Sequence, residues 1–254
     1  MLSVKVIGVG MGNPRHLTAQ AVEALRSVDV FFVLEKGSAA DELAVRRRDL
    51  CRSVIGTGPY RFVPVPDPPR DRVTAQYEQA VRDWTAARGD VLLDAIGADL
   101  RPGQTAGILA WGDPAFYDST LRVLDAGRQA GRLEVEVVPG ISSIQMLAAA
   151  HRISLTRVGR PLQVTTGRRL AEDGFPAGCD DVVVMLDGRC SFRHVDPVGI
   201  HIYWGADLSG PDEVIASGGL AETAETIVAQ RDEIRARRGW VMDTYLLRRS
   251  APNR

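Results

Sequence analysis

Three places in this sequence interrupt an apolar run with residues that shape the backbone. Val4-Lys5-Val6-Ile7-Gly8-Val9-Gly10-Met11-Gly12-Asn13-Pro14 breaks a β-branched run with alternate glycines, and its proline reads as the opening of a helix. Ala106-Gly107-Ile108-Leu109-Ala110-Trp111-Gly112-Asp113-Pro114 ends on an aspartate whose conformation the following proline restricts. Val137-Val138-Pro139-Gly140-Ile141-Ser142-Ser143 ends on hydroxyls in helix-capping positions. Bare backbone at a strand's end is where α/β proteins admit a ligand. The first break nearly matches the dinucleotide fingerprint G-x-G-x-x-G, with Glu35 as the acid after a second apolar run, but Asn13 stands where the third glycine belongs. Two chemistries compete: hydride transfer from a nicotinamide held on a phosphate loop, or a Gly/Pro loop that lines a cleft, with Asp113 as a directed carboxylate. Taken singly, the Asp-Pro pair also reads as a turn and the serines as ordinary caps.

The elements that would position these breaks alternate. Short β-branched runs at Val4 to Gly8, Asp29 to Glu35, Arg61 to Val65, Thr105 to Ala110 and Leu133 to Val138 read as strands. Helical stripes lie between them: Leu17 to Val28, Val73 to Trp84, and Tyr117 to Gly131. A parallel sheet would bring the three breaks to one edge. Strands at Gln163 to Thr166, Asp181 to Leu186, Gly199 to Trp204, Asp212 to Ser217 and Val241 to Arg248 follow, with a helix over Glu222 to Arg237. Several of their connections are too short for crossover helices, which predicts a mixed sheet. The expectation is therefore two α/β domains, residues 1–141 with a five-stranded, mainly parallel sheet and residues 142–254 with a mixed one. The proline-rich stretch Gly56 to Arg72 reads as a stiff wall beside the cleft.

Composition narrows the partners. The 254 residues carry 31 basic and 32 acidic side chains, a net charge of −1 that offers no field for nucleic acid. With 45% hydrophobic and 25% charged residues, no long apolar run and no leader-like start, the sequence reads as a cytoplasmic, non-membrane protein. Cys51, Cys179 and Cys190 form no C-x-x-C pair, and His16, His151, His194 and His201 show no metal spacing, so neither a disulfide framework nor a metal site is expected.

In order and spacing, Gly8-x-Gly10-x-Gly12-x-Pro14-x-x-Leu17-Thr18, Gly112-Asp113-Pro114 and Val138-Pro139-Gly140-Ile141-Ser142-Ser143 resemble the class III, S-adenosylmethionine-dependent tetrapyrrole methyltransferases. The resemblance covers nearly the whole chain. Trp111-Gly112-Asp113-Pro114-Ala115-Phe116-Tyr117-Asp118-Ser119-Thr120, Val164-Thr165-Thr166-Gly167-Arg168-Arg169 and Val184-Met185-Leu186-Asp187-Gly188-Arg189-Cys190 are similar to the deacetylating precorrin branch of that family, in aerobic cobalamin synthesis. The resemblance implies a tetrapyrrole methylase fold, usually dimeric, with S-adenosylmethionine in a cleft between two domains and the macrocycle in an adjoining trough. The implied reaction methylates carbon 1 of precorrin-5 and releases its acetyl group as acetate, leaving S-adenosylhomocysteine. Met11, Trp111, Gly112, Asp113, Phe116, Ser142, Ser143, Leu186 and Gly218 are the implied cofactor contacts. Trp111 and Ser143 stand where uroporphyrinogen methyltransferases carry glycine and often alanine, which weighs against that branch. Another precorrin or uroporphyrinogen C-methyltransferase is the nearest alternative; a nicotinamide oxidoreductase and a non-catalytic tetrapyrrole carrier are more distant ones.

Methyl transfer to an electron-rich carbon needs positioning more than covalent help. Acetate release needs a base or an oriented water, for which Glu35 comes first, with Asp113 and Tyr117 beside it and Asp118 and His16 behind. Pro14, Arg15, His16 and Arg168 are the expected substrate contacts. Arg46-Arg47-Arg48, Arg52, Arg61 and Arg70 are further cations able to meet substrate carboxylates, although a run of this kind also reads as a solvated helix face.

Overall fold

A computed structural model describes residues 1–35, 41–69 and 76–250, so Arg70, Arg72 and Val73 lie outside the described residues. The chain divides into two compact units, Met1–Ser142 and Ser143–Arg254.

In the first unit the order is β1 (Leu2–Gly8), α1 (Ala19–Arg26), β2 (Val30–Glu35), α2 (Asp41–Ile55), β3 (Arg61–Pro66), α3 (Tyr77–Asp99), β4 (Thr105–Ala110), α4 (Thr120–Gln129) and β5 (Leu133–Val138). The strands form one sheet, β3-β2-β4-β1-β5, with every pairing parallel. Their near-continuous apolar sequences follow from burial on both faces. On one face Val4, Val6, Phe32 and Ile108 pack with Leu92, Ile96 and Leu124 of α3 and α4. On the other, Ile7, Phe31, Leu109 and Val138 pack with Ala21 and Leu25 of α1 and Leu50 and Cys51 of α2. All five strands therefore end on the same edge, at Gly8, Glu35, Pro66, Ala110 and Val138.

Two expected boundaries shift for local reasons. Pro14 opens only a short 3-10 turn, Pro14–His16, capped by Asn13, whose side chain accepts from the Arg15 amide at 3.0 Å. The helix itself starts at Ala19, with the Thr18 hydroxyl oxygen accepting from the Ala21 amide at 3.0 Å. A phosphate-cradling loop needs a helix N-terminus at its glycines, and here none is present. Likewise α4 begins at Thr120 rather than Tyr117, because Tyr117 has φ 52° and a left-handed residue cannot enter a right-handed helix. The proline-rich stretch contains β3, an edge strand, the one place in a sheet where Pro64 and Pro66 cost no ladder bond.

The second unit runs α5 (Ser143–His151), β6 (Leu162–Thr166), α6 (Gly167–Asp173), β7 (Asp181–Met185), β8 (Ile200–Ala206), β9 (Val214–Gly219), α7 (Leu220–Arg238) and β10 (Asp243–Arg249). Its sheet is mixed, in the order β6-β7-β10-β8-β9, with β6 and β7 parallel and the remaining pairs antiparallel. Trp204, Phe192 and Tyr245 fill the core on one side of it with Ile227 and Ile234 of α7.

All three cysteines are free and buried, and burial pushes the Cys51 thiol up to about 12. Thiolate is the reactive form, so iodoacetamide near pH 8 should leave all three unmodified in the folded protein and modify them in urea, as read by intact mass.

Candidate active site

The three sequence breaks form one backbone assembly at the strand-end edge of the first sheet. Val9 donates to the Ala110 carbonyl at 2.9 Å. Gly10 and Gly112 exchange a pair of hydrogen bonds, 3.1 Å from the Gly10 amide and 2.7 Å from the Gly112 amide. Asp113 then ties the second break to the third: one carboxylate oxygen accepts from the Ala115 amide at 2.8 Å and the other from the Gly140 amide at 2.9 Å. Proline after Asp113 restricts its backbone, and both oxygens are committed.

This fusion explains the bare backbone. A Cβ on Gly140 would lie 2.2 Å from the Gly112 carbonyl oxygen, and one on Gly8 would lie 2.6 Å from the Gly140 amide nitrogen. The glycines thus let three chain segments touch. Above them sit side chains with unfinished bonding. The Nε1 donor of Trp111 and the Nδ1 of His16 are buried and lack hydrogen-bond partners among the described residues. Phe116 and Tyr117 are 39% and 44% exposed, a high value for aromatic rings. Burial pushes the Tyr117 phenol up, so its hydroxyl is protonated at neutral pH.

Other expected residues are placed as follows. Glu35 ends β2 on this edge, but its carboxylate accepts from the Arg48 guanidinium at 2.9 Å. Met11 is half-buried beside the glycine loop, Pro14 and Arg15 are exposed on the turn that follows, and Ser142 is buried just ahead of α5, which Ser143 begins. Arg61 does not reach the edge: it starts β3 at the opposite end and pairs with Asp99 at 2.8 Å. Arg52 lies 3.6 Å from Asp49 on the same helix.

In the second unit Leu186 follows β7 with φ 54° and is 66% exposed, although a branched side chain in the left-handed region is strained. A buried polar network holds its turn. The Asp187 carboxylate accepts from the Ser191 amide at 2.6 Å, the Arg189 amide at 2.9 Å and the Tyr245 hydroxyl at 2.7 Å. Arg231, only 2% exposed, donates to the Asp187 carbonyl, to Cys190 Sγ at 2.7 Å and to Asp243 at 2.7 Å. Sequence reasoning missed this network, because its members are spread over sixty residues of chain, roughly Asp187 to Tyr245, with no shared motif. Gly218 is not brought beside Leu186. Pairing sets it level with Ile202, Leu247 and Val182, at the other end of the sheet, and its missing Cβ is explained by Thr223, whose hydroxyl oxygen would lie 2.4 Å away. Arg168 is half-exposed on α6, 3.6 Å from Glu172. Among the described residues no group of His, Cys, Asp and Glu is placed to hold a metal ion, and no helix is long and apolar enough to cross a membrane.

The chain belongs to the tetrapyrrole (corrin/porphyrin) methylase family, whose model matches residues 3–224. It is 41% identical over 253 residues to a deacetylating precorrin-6A synthase of Sinorhizobium sp, covering 99% of this chain and 97% of that protein. A crystal structure of a cobalamin-synthesis-related protein (CobF) of Corynebacterium diphtheriae is similar with a TM-score of 0.82 and 31% identity, over 99% of this chain and 100% of the other. The same fold, with a TM-score of 0.58 and 21% identity, occurs in the uroporphyrin-III C-methyltransferase of Thermus thermophilus, over 96% of each chain, a structure complexed with S-adenosylhomocysteine.

Proposed function

We propose that this chain transfers a methyl group from S-adenosylmethionine to carbon 1 of precorrin-5 with loss of the acetyl group as acetate, giving precorrin-6A. One observation carries the assignment beyond family membership: the Trp111 to Tyr117 segment, which resembles the deacetylating branch, is fixed to the first break through the Gly10–Gly112 pair and to the third through Asp113, and leaves a buried indole N–H unpartnered among the described residues. A buried donor without an acceptor costs about 1–3 kcal/mol unless a ligand supplies one.

Bare backbone, an orphan donor and exposed aromatic rings suit a folded adenosyl sulfonium. Met11, Trp111, Gly112, Asp113, Phe116 and Ser142 of the first unit are the proposed contacts, with Ser143 and Leu186 of the second; Gly218 is assigned to helix packing. S-adenosylmethionine supplies an electrophilic methyl group when bound. The protein's part is to fix donor and acceptor and to exclude water. For acetate release, water adds to the acetyl carbonyl and the bond from that carbon to the macrocycle breaks, its electron pair passing into the conjugated ring, which then takes up a proton as acetate leaves. Tyr117 is the proposed proton donor to the carbonyl oxygen. Glu35, held by Arg48, would accept a proton from water only with that ion pair loosened. Pro14, Arg15, His16 and Arg168 are proposed to face the substrate, in a cytoplasmic homodimer.

Labelled methyl transfer to precorrin-5 with stoichiometric acetate tests the assignment. Folded protein that binds S-adenosylmethionine but transfers no methyl group to precorrin-5 would overturn it. Calorimetric titration with S-adenosylmethionine against NADH should show binding of the first alone. Replacing Asp113 by Asn, which leaves one acceptor for the Ala115 and Gly140 amides and sets a donor against the other, should weaken S-adenosylmethionine binding about tenfold or more; Phe116→Leu should change it far less.

A further inference from the structure

The arginine run on α2 reads from sequence as one solvated face, yet its members meet different fates. Arg46 pairs with Glu42 at 2.9 Å and Arg48 with Glu35 at 2.9 Å. Close by, Arg88 is buried against Asp67 at 2.7 Å and donates to the Ser119 hydroxyl at 2.6 Å. Arg47 alone of these four has no hydrogen bond or ion pair among the described residues; its Nε, like that of Arg48, is buried without an acceptor. Its guanidinium carbon stands 5.2 Å from the centroid of the Trp111 ring, beside the Gly-Asp-Pro break. Burial lowers its pKa to about 10, with the Asp118 carboxylate favouring the charge and Arg88 opposing it, so it is still a cation at neutral pH. Asp118 does not close an ion pair with it, and one of its oxygens accepts from the Thr120 amide at 2.7 Å.

A half-buried guanidinium whose Nε meets no acceptor among the described residues is poorly compensated in the free protein, whereas each of its neighbours is paired. Stacking on an indole leaves the in-plane N–H edges of a guanidinium open, and those edges match a carboxylate bidentately. We propose that Arg47 docks one carboxylate arm of the tetrapyrrole beside the Trp111 loop, so that a side-chain acid of the substrate, and not only its ring, registers the macrocycle. This rests on the reading of the chain as a precorrin methyltransferase and names the residue that reads the substrate's acid.

Arg47→Met should raise the KM for precorrin-5 about ten- to hundredfold, leave the dissociation constant of S-adenosylmethionine within about twofold, and leave the thermal midpoint close to that of the wild type, since no hydrogen bond or ion pair among the described residues is lost. Arg47→Lys, which keeps the charge but not the fork, should fall between. Unchanged precorrin KM in folded Arg47→Met, a parallel loss of S-adenosylmethionine affinity, or marked destabilisation overturns the proposal. Direct binding of uroporphyrin, an octa-acid, and of its octamethyl ester separates this from the assignment of the reaction. Wild-type protein should bind the acid more tightly than Arg47→Met does, with no such difference for the ester. Discrimination of that kind without turnover of precorrin-5 would defeat the reaction assignment and leave the carboxylate site standing; equal binding of the acid by both proteins would defeat the site.

Discussion

Gly140→Ala should abolish measurable S-adenosylmethionine binding and methyl transfer while leaving a folded protein. The added Cβ would lie 2.2 Å from the Gly112 carbonyl oxygen and 2.8 Å from the Gly8 carbonyl carbon, both backbone atoms with no rotamer to yield. Something must move, and the loops move more easily than the strands behind them. Overpacking of this kind costs about 1–3 kcal/mol, which in a chain of this size lowers the thermal midpoint by roughly 2–12 °C. The functional loss should be larger, because separating the third break from the second also pulls the Gly140 amide off Asp113. Gly97→Ala is the control: nothing lies within 4 Å of a Cβ there, in the interior of α3, so the protein should gain about 0.5–1 kcal/mol with activity unchanged. Full activity in Gly140→Ala would show that the backbone assembly is not the site.

Arg231→Met should destabilise the second unit by about 3–5 kcal/mol, because it strands Asp243 as a buried charge. The loss should depend on pH. Burial already pushes the Asp243 carboxyl up, with the Arg231 guanidinium and the Trp204 indole N–H holding it back. Without the guanidinium its pKa rises further, so the folded variant holds a proton that the unfolded chain releases. Stability then falls as pH rises above the unfolded carboxylate range, and the deficit against wild type should be smallest near about pH 4 and grow toward about pH 8. Urea midpoints across that interval check the sign. Arg231→Met/Asp243→Asn should recover much of the loss and flatten the pH dependence. A deficit independent of pH would mean that the lost hydrogen bonds to Asp187 and Cys190, not the charge, dominate.

The parallel sheet and its edge were legible because β1, β2 and β4 carry β-branched and aromatic runs buried on both faces, and because β1, β4 and β5 run directly into the three breaks marked by glycine and proline. The mixed character of the second sheet could be read from short connections. What could not be read was partnership. Glu35 looked like a free strand-end acid until α2 placed Arg48 against it, and Arg47 looked like its neighbours until their pairings were known. Spacing says which residues share a helix face; it does not say which acids another element brings opposite them. Gly218 and Leu186 were similarly placed by motif, and strand register then separated them.

Because Asp113 bonds its own loop and the Gly140 amide at once, while Gly112 is paired with Gly10, the three breaks cannot vary independently. Substitutions at Gly8, Gly112, Asp113 and Gly140 should show coupling energies rather than simple sums in double-mutant cycles. Phe116 and Tyr117, exposed and outside that knot, should vary additively. The exposed rim therefore accepts change one residue at a time, whereas the knot beneath it changes only as a block.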